Sequence, residues 1–238
     1  MSTIAVIAGV GPGLGAAIAR KFANEGCHLA LLSRSSPYII NLSNKLEESG
    51  AVALPIPTDI TDATQVAASF AQIREELGAP DILINHAGNA AWGNLSELTP
   101  EAFENSWRVC TLGAFLCVKQ VVPGMIEKGS GTILFSGATS AVRGRAGAIA
   151  FSSAKFAMRG LASSLAREVG PKGIHVAHVI IDGVIDTPNL RERYKMQEDE
   201  PLLAPDSIAD TYWALVQQER SAWSFEVDVR PHNEEFFT

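Results

Sequence analysis

The sequence is poor in cysteine, in long apolar runs and in positive charge. Its three cysteines, Cys27, Cys110 and Cys117, form an odd set without Cys-x-x-Cys spacing. We therefore expect buried free thiols in a reducing cytoplasm rather than a metal site or disulfides. The net charge is −7 and the pI is about 5.3. This balance predicts neither a nucleic-acid-binding surface nor a basic helix that lies on a membrane.

Patterns that direct a chain into or across a membrane are also missing. The longest apolar runs have the length of strands, which predicts no transmembrane helix. The first residues lack a basic segment followed by a long apolar core, so we expect no signal peptide and a cytoplasmic location. The sequence has no low-complexity tract, linker or internal repeat, and 47% of its residues are hydrophobic. We interpret residues 1–238 as a single domain with a large core.

Short apolar runs alternate with helical patterns along nearly the whole chain. This alternation predicts an α/β fold of the doubly wound Rossmann type, with about seven parallel strands and helices on both faces of the sheet. Ligands of such sheets bind at the carboxyl ends of the strands. The predicted strands lie near residues 3–8, 28–33, 51–56, 81–85, 131–136, 173–180 and 223–229. Helix starts are predicted at Ser36-Pro37, Thr61-Asp62, Thr99-Pro100 and Pro205.

A glycine-rich turn follows the first predicted strand and precedes a helical run. Glycine lets the backbone turn sharply and approach a diphosphate closely, and the helix that follows directs free N–H groups at the anion. The strand and the helix that this motif requires are both present. The turn residues that we predict to bind a nucleotide are Gly9, Gly11, Gly13, Leu14 and Gly15.

Residues 187–204 interrupt the alternation with a polar run after the sixth predicted strand. Because ligands bind at this end of the sheet, one interpretation is a mobile lid over a substrate pocket. The other interpretation is a solvated surface helix. The sequence favours neither.

Further motifs occur near the ends of later strands, in a fixed order. They are Asp59-Ile60, Asn85-His86-Ala87-Gly88, Arg143-Gly144, Lys155 and Thr187. Together with the glycine-rich turn, these motifs resemble those of the short-chain dehydrogenase/reductase family over nearly the whole chain. The resemblance implies a nicotinamide dinucleotide whose adenine meets Asp59, whose ribose is held by Lys155 and whose carboxamide is contacted by Thr187. His86 stands where the family has a second asparagine.

The end of the second predicted strand indicates which dinucleotide binds. An NAD-specific site usually has an acidic residue here, which accepts a hydrogen bond from the ribose 2′-hydroxyl. This chain has Ser33, which does not repel a 2′-phosphate, and Arg34, which can donate a charge-assisted pair of hydrogen bonds to one. We therefore expect NADP(H) in preference to NAD(H). The other predicted cofactor-binding residues are Asp59, Ile60, Asn85, Ala87, Gly88, Lys155 and Thr187.

Three residues of the catalytic site that the resemblance implies are replaced. The family carries Tyr-x-x-x-Lys, in which the lysine lowers the pKa of the tyrosine and the tyrosine exchanges a proton with the substrate. This chain has Phe151 in the tyrosine position, four residues before Lys155. The family's serine falls on Ala138 and its helix asparagine on Cys110. Residues 135–168 resemble a bacterial subgroup of the family that carries this Phe-x-x-x-Lys form.

Two hypotheses from different classes follow from these replacements. In the first, the chain is an NADP(H)-dependent oxidoreductase with a substitute proton donor. In the second, it binds NADP(H) without redox chemistry, as a sensor or as the partner of another protein. The candidate donors are Ser136, Thr139, Ser140, Tyr194 and Asp182, the last of which replaces the proline of the family's Pro-Gly. His86 has a suitable pKa, but we expect it to pack beside the adenosine half.

Apolar side chains near the missing tyrosine predict an apolar substrate. A small carbonyl compound, an alcohol or an activated alkene would fit such a pocket. Reduction of an alkene depends less on a phenol, because water can protonate carbon. The side chains in question are Phe151, Trp92, Phe115 and Met196, of which Phe115 is more readily a core residue.

The composition of two long helices predicts an oligomer. Residues 101–128 and 148–170 contain more small and apolar residues than one face against the sheet requires. In the family that the chain resembles, these helices pair across a dimer axis. The predicted edge strand at residues 223–229 would also be covered in an assembly. We therefore expect a homodimer or homotetramer that binds a small-molecule substrate.

Overall fold

A computed structural model describes residues 2–188, 190 and 200–234 of the chain. Seven strands form one parallel sheet, which confirms the doubly wound α/β fold predicted from the alternation. The strands are β1 (Ile4–Ala8), β2 (His28–Ser33), β3 (Ala53–Pro57), β4 (Ile82–Asn85), β5 (Gly131–Ser136), β6 (Ile174–Ile181), β7 (Val184–Ile185), β8 (Leu202–Leu203) and β9 (Glu226–Val229). The large sheet has the order β3-β2-β1-β4-β5-β6-β9, and β7 pairs with β8.

The helices connect successive strands and cover both faces of the sheet. They are α1 (Leu14–Asn24), α2 (Ser36–Glu48), α3 (Ala63–Glu76), α4 (Pro100–Trp107), α5 (Gly113–Lys128), α6 (Ile149–Val169) and α7 (Pro205–Val216). One turn of π-helix, Arg108–Leu112, joins α4 to α5. The predicted caps Asp62 and Thr99 accept backbone N–H bonds at the starts of α3 and α4. The cap predicted at Ser36 is wrong by one residue, because Ser35 precedes the first helical residue.

The two-residue period of the strands divides the core into two layers. In β1, Ala5 and Ile7 pack with α1, α2 and α7, whereas Val6 and Ala8 pack with α3, α5 and α6. The same alternation continues through β2, β4, β5 and β6. Because both faces are buried, these strands read as nearly continuous apolar runs in the sequence.

The strand order reverses its direction between β1 and β4. Chain segments that leave the carboxyl ends of these two neighbours diverge to opposite faces, which opens a crevice between them. Gly9 follows β1 with a φ of 106°. A Cβ atom on Gly9 would lie 2.3 Å from the backbone nitrogen of Ala87, the second residue after β4. Only glycine therefore permits this close approach at the switch point.

The segment Pro100–Lys128 is the described helix that is long and apolar enough to cross a membrane, by length and composition alone. Half of its most apolar window is buried inside the protein. Its core-facing residues pack against the sheet beside α3 and α6. The sequence predicts a long helix at residues 101–128, and its apolar runs are short because polar residues interrupt them.

Several aromatic side chains remain exposed on the helices expected to form an interface. Phe115 is 42% exposed, which corrects the interpretation of this residue as part of the core. Phe103, Trp107 and Phe156 have similar exposure. The homodimer or homotetramer stays a prediction. These exposed aromatic residues would supply apolar area to its interface.

The three cysteines are buried free thiols, in agreement with the expectation from their spacing. Burial raises the pKa of Cys27 to about 11 and that of Cys117 to about 12. Thiols with such a raised pKa are protonated at neutral pH and are poor nucleophiles. Cys27 and Cys117 are therefore packing residues.

The last strand is joined to α6 by a charged network. Arg159 donates two hydrogen bonds, of 2.7 and 2.8 Å, to the carboxylate of Glu226 in β9. The same carboxylate lies 3.1 Å from Nδ1 of His178 in β6. His178 is fully buried, and its ring lies against Gly137, where a Cβ atom would be only 2.4 Å from Nε2.

We predict that Gly9→Ala destabilises the fold by at least about 3 kcal/mol, because the added methyl group overlaps Ala87 and the backbone is held at positive φ. Chemical denaturation measures this change. Gly124→Ala is the matched control, since its Cβ meets nothing within 4 Å and alanine favours a helix by about 1 kcal/mol over glycine. Equal stability of the two variants would contradict the prediction.

We predict that His178 makes the protein less stable as the pH falls from 6.5 to 4. Burial, with repulsion from Lys155 and Arg159, lowers its pKa to about 4, and Glu226 opposes this shift. The unfolded chain binds a proton near pH 6.5, so the neutral folded form loses up to about 1.4 kcal/mol per pH unit from this group. His178→Asn should therefore flatten the dependence of melting temperature on pH in this window. An unchanged slope would refute the assignment.

Candidate functional site

One cleft lies in the crevice at the carboxyl ends of β1, β2 and β4. It collects residues from four predicted motifs that are far apart in sequence. The predicted residues on its surface are Gly9, Gly11, Ser33, Arg34, Asp59, Ile60, Ala87 and Gly88, beside Val10, Leu32, Thr58 and Val109. The fold thus brings most of the predicted cofactor-binding residues to one place.

The glycine-rich turn forms the floor of this cleft and leads into α1. Gly13 has a φ of 140°, and a Cβ atom there would lie 2.8 Å from the methyl group of Thr187. A Cβ atom on Gly15 would lie 2.9 Å from the carbonyl oxygen of Gly9. No side chain caps the start of α1, where Leu14 is buried. The turn is therefore a cradle of backbone atoms at a helix N-terminus, which fits a pyrophosphate.

The far end of this cleft is polar on one side and apolar on the other. Asp59 is held by Thr61, whose backbone N–H and hydroxyl both donate to Oδ1, at 2.9 and 2.8 Å. Ile60 is buried. Arg34 is exposed and forms no ion pair with any residue that the structure describes. A phosphate at this end would meet a free guanidinium group.

Asn85, the last residue of β4, is buried beneath the cleft rather than on its surface. Neither atom of its side-chain amide has a hydrogen-bond partner among the described residues. Thr187 also lies outside the lining, although its methyl group faces Gly13 and its hydroxyl accepts from the backbone of Leu190.

A second cleft continues from the first along the edge of the sheet, and the two share Gly9 and Gly88. Its other lining residues come from the segments after β4, from the ends of β5 and β6, from β7 and from the start of α6. They are His86, Ala90, Ser136, Gly137, Ala138, Phe151, Lys155, Ile181, Gly183 and Ile185. The positions of the replaced serine and tyrosine, Ala138 and Phe151, thus face the same space as Lys155.

Lys155 is the charged residue in the lining of the second cleft, and it is only 4% exposed. Its ammonium group donates a 2.7 Å hydrogen bond to the carbonyl oxygen of Ser136 and lies 5.5 Å from the centre of the Phe151 ring. Burial lowers the pKa of Lys155 below its ordinary value. In the family, the lysine four residues after the tyrosine lies on the same face of the helix as that tyrosine. In this chain the same spacing places Lys155 over the phenyl ring of Phe151.

His86 lies in the second cleft, which corrects the expectation that it packs beside the adenosine half. Its Nδ1 is 3.0 Å from Oγ of Ser136, and this Oγ is 2.6 Å from the hydroxyl of Tyr212 in α7. Burial, together with the charge of Lys155, lowers the pKa of His86 to about 4. The imidazole is therefore neutral at pH 7, which excludes it as an imidazolium acid there.

Tyr212 extends this hydrogen-bond chain into the core. Its fully buried phenol has Ser136 as its hydrogen-bond partner among the described residues, and either oxygen of this pair can be the donor. The tautomer of His86 decides in the same way whether Nδ1 accepts from Oγ of Ser136 or donates to it. Sequence analysis missed Tyr212, because the contact spans 76 residues and no motif contains both partners.

The other predicted proton donors lie in the wall around the second cleft. Thr139 donates a 2.7 Å hydrogen bond to Oδ1 of Asp182, which is buried. Ser140 is buried in the same 3₁₀ turn and does not line either cleft. Burial raises the pKa of Glu234, and the negative charge of Asp182 raises it further. Cys110, in the position of the family's asparagine, is buried in the π turn.

An aromatic pair and an arginine lie beside the second cleft, and Phe151 is the one of the three that belongs to its lining. The rings of Trp92 and Phe151 lie 5.5 Å apart, and the guanidinium carbon of Arg145 lies 6.0 Å from the centre of the Trp92 ring. Phe115 belongs to α5 and does not line either cleft. Tyr194 and Met196 lie outside the described residues, as does most of the predicted lid at 187–204. At its base, β7 pairs with β8.

Comparisons with known proteins agree with this geometry. The family model described as short chain dehydrogenase matches residues 3–198. The chain is 31% identical to the uncharacterized oxidoreductase YxjF of Bacillus subtilis, over 91% of this chain and 84% of that protein. It also matches glycine betaine reductase ATRR of Emericella nidulans at 28% identity, over 97% of this chain but only 19% of that longer protein.

Solved structures show the same architecture. The short-chain dehydrogenase from Rhodopseudomonas palustris has a TM-score of 0.83 at 31% identity, over 97% of this chain and 99% of that one. L-Sorbose reductase from Gluconobacter frateurii, complexed with NADPH and L-sorbose, has a TM-score of 0.89 at 25% identity, over 97% and 96%. The seven-stranded sheet, the glycine cradle at its switch point and these matches together lead to one conclusion: the chain belongs to the short-chain dehydrogenase/reductase family of NAD(P)-dependent oxidoreductases.

Proposed function

We propose that this chain is an NADP(H)-dependent reductase of a small apolar substrate, and that the substrate is an activated alkene. One observation carries the proposal: a continuous cleft holds the glycine cradle and Arg34 at one end, and Lys155 beneath an aromatic wall at the other. The first end suits a phosphorylated dinucleotide. The second end is apolar apart from its buried polar floor.

The preference for NADP(H) follows from the residues at the end of β2. Ser33 carries no charge, and Arg34 has an exposed guanidinium group without an acidic partner among the described residues. A dianionic 2′-phosphate binds such a group through charge-assisted hydrogen bonds. The similar L-sorbose reductase was crystallised with NADPH, which supports the same choice here.

Lys155 has a positioning role that survives the loss of the tyrosine. Its hydrogen bond to the Ser136 carbonyl fixes the ammonium group between the two clefts, 3.8 Å from where a Cβ on Gly88 would lie. At this position the ammonium group would hold the nicotinamide ribose by its hydroxyls. When bound, NADPH supplies the hydride.

The hydroxyl groups of the second cleft argue for an alkene rather than a ketone. Reduction of a ketone needs a proton at oxygen, but Phe151 has none. The hydroxyl group of Thr139 donates to Asp182, and that of Ser136 is engaged in hydrogen bonds with both His86 and Tyr212. For an activated alkene, hydride adds to the β-carbon and water donates a proton to the α-carbon. The C=C π bond is then lost, the substrate gains two electrons, and NADPH becomes NADP⁺.

We predict that Arg34→Glu weakens NADPH binding by at least about 30-fold and leaves NADH binding within about threefold. The variant replaces a charge-assisted contact, worth about 1.5–3 kcal/mol, with repulsion of the 2′-phosphate. Fluorescence titration with each dinucleotide measures the ratio. Arg74→Gln, an exposed arginine of α3, is the control that should bind as the wild type does. Equal weakening of NADPH and NADH would refute the preference.

We predict that Phe151→Tyr gives or raises ketone reduction by a factor of about 10² or more, the usual effect of a general acid. The same variant should leave alkene reduction within about threefold, because that reaction takes its proton from water. Phe156→Tyr, one residue beyond Lys155 and 43% exposed, is the matched control. Rates are measured as NADPH oxidation with product analysis.

The outcomes of this assay separate the hypotheses. A wild-type enzyme that reduces only the carbonyl of an enone would overturn the alkene proposal. A protein that binds NADPH but turns over neither class, even as Phe151→Tyr, would instead be a binding module without redox chemistry. Failure of either dinucleotide to bind would overturn the proposed function as a whole.

A further inference from the structure

We infer that the rim formed by Trp92, Arg145 and Phe151 selects a planar, conjugated substrate that carries a carboxylate. This inference rests on the proposed function and adds the substrate class. The two aromatic rings would contact the flat body of the substrate, and the guanidinium group would bind its anionic end.

The aromatic part of the rim is accessible to a ligand. Trp92 is 58% exposed although it is the largest kind of apolar side chain, and it stands on the loop that follows β4. Its ring is tilted by 48° from that of Phe151, which itself lines the second cleft. A large indole left exposed against a side chain that lines a cleft is typical of a ligand-contacting surface. A flat conjugated molecule can stack on one of these rings and contact the other at an angle.

Arg145 supplies the site for the carboxylate. Its guanidinium carbon lies 6.0 Å from the centre of the Trp92 ring, at the outer limit of a cation–π contact. It forms no ion pair with any described residue. A guanidinium group packed over an aromatic ring keeps the N–H groups at its edge free to form paired hydrogen bonds with a carboxylate.

The charges around the second cleft also favour an anion. Lys155 lines it, and no aspartate or glutamate does so among the described residues. Three carboxyl groups lie near this cleft but outside its lining: Asp182 accepts from Thr139, Glu97 accepts from the backbone N–H of Asn94, and Oε2 of Glu234 lies 2.7 Å from where a Cβ on Gly183 would be. The charge in the described lining itself is therefore that of the Lys155 ammonium group. An anionic substrate would be attracted by this charge, and a neutral one would not.

Backbone contacts hold the rim in shape before a ligand arrives. Gly93, next to Trp92, pairs with Ala148 in an isolated parallel bridge, and its N–H donates to the carbonyl oxygen of Gly147 at 2.9 Å. The N–H of Ala148 in turn donates to the carbonyl oxygen of Arg145 at 3.2 Å. The two loops that carry Trp92 and Arg145 are thus tied together. Preorganised groups bind a ligand with less loss of entropy.

The test uses a dead-end complex, so that binding is measured without turnover. The full-length protein is first saturated with NADP⁺, and calorimetry then follows the titration of benzylidenepyruvate and, separately, of its methyl ester. The two ligands share a phenyl ring, a conjugated alkene and a ketone, and the ester replaces the charged carboxylate with a neutral methyl ester group. The variants are Arg145→Gln, Trp92→Ala and the control Arg74→Gln.

We expect the wild type and Arg74→Gln to bind the acid at least about tenfold more tightly than the ester, the usual worth of one charge-assisted pair. Arg145→Gln should lose this difference by weakening the acid alone. Trp92→Ala should weaken both ligands by about five- to tenfold. Binding of NADP⁺ to each variant shows that it is folded.

Equal or undetectable binding of acid and ester by the NADP⁺-loaded wild type would overturn the inference and leave the proposed function standing. An acid preference that persists in Arg145→Gln would also overturn it. If NADP⁺ itself did not bind, the proposed function would fail, and this inference with it.

Discussion

The close approach of two backbone segments at the switch point is the constraint on which the rest of this structure depends. Gly9 and Ala87 come from strands that are neighbours in the sheet but about 80 residues apart in the chain. Their contact leaves no room for a side chain on Gly9. Because of it, the turn after β1 and the motif after β4 form one continuous floor. Both clefts share this floor, and everything placed at their far ends is positioned relative to it.

A buried polar floor beneath an apolar wall gives the second cleft its chemical character. Lys155, Ser136, His86 and Tyr212 satisfy one another through backbone and side-chain hydrogen bonds. Burial keeps the imidazole neutral and lowers the pKa of the lysine. A phenyl ring covers the lysine where the family has a phenol. The cleft therefore keeps the group that orients a cofactor but lacks the usual proton donor, and this combination favours chemistry completed by water.

We propose that the residues of the outer rim decide which substrate binds. Trp92 and Arg145 are exposed, whereas Lys155, Ser136 and Tyr212 in the floor are buried and hydrogen-bonded. Groups that bind a varying ligand have to remain reachable, and groups that set pKa values have to be shielded from water. The exposed groups therefore lie at the outer end of the cleft, and the shielded groups lie at its base.

The sequence alone determined the order of the elements, because patterns of period two and period 3.6 are local and both faces of the sheet are buried. The seven predicted strands match the structure to within three residues, and the short pair β7 and β8 was not predicted. The glycine motif and Lys155, on which the family resemblance rests, were also recognisable because each lies within a short segment of the sequence.

Only the tertiary structure decided what the side chains do to one another. It moved His86 to the second cleft, left Phe115 exposed and brought in Tyr212, which no local pattern announces. It also joined Trp92 to Arg145 across two loops. Such contacts link residues separated by about 50 to 75 positions. Their geometry depends on the packing of whole elements, which a linear pattern does not contain.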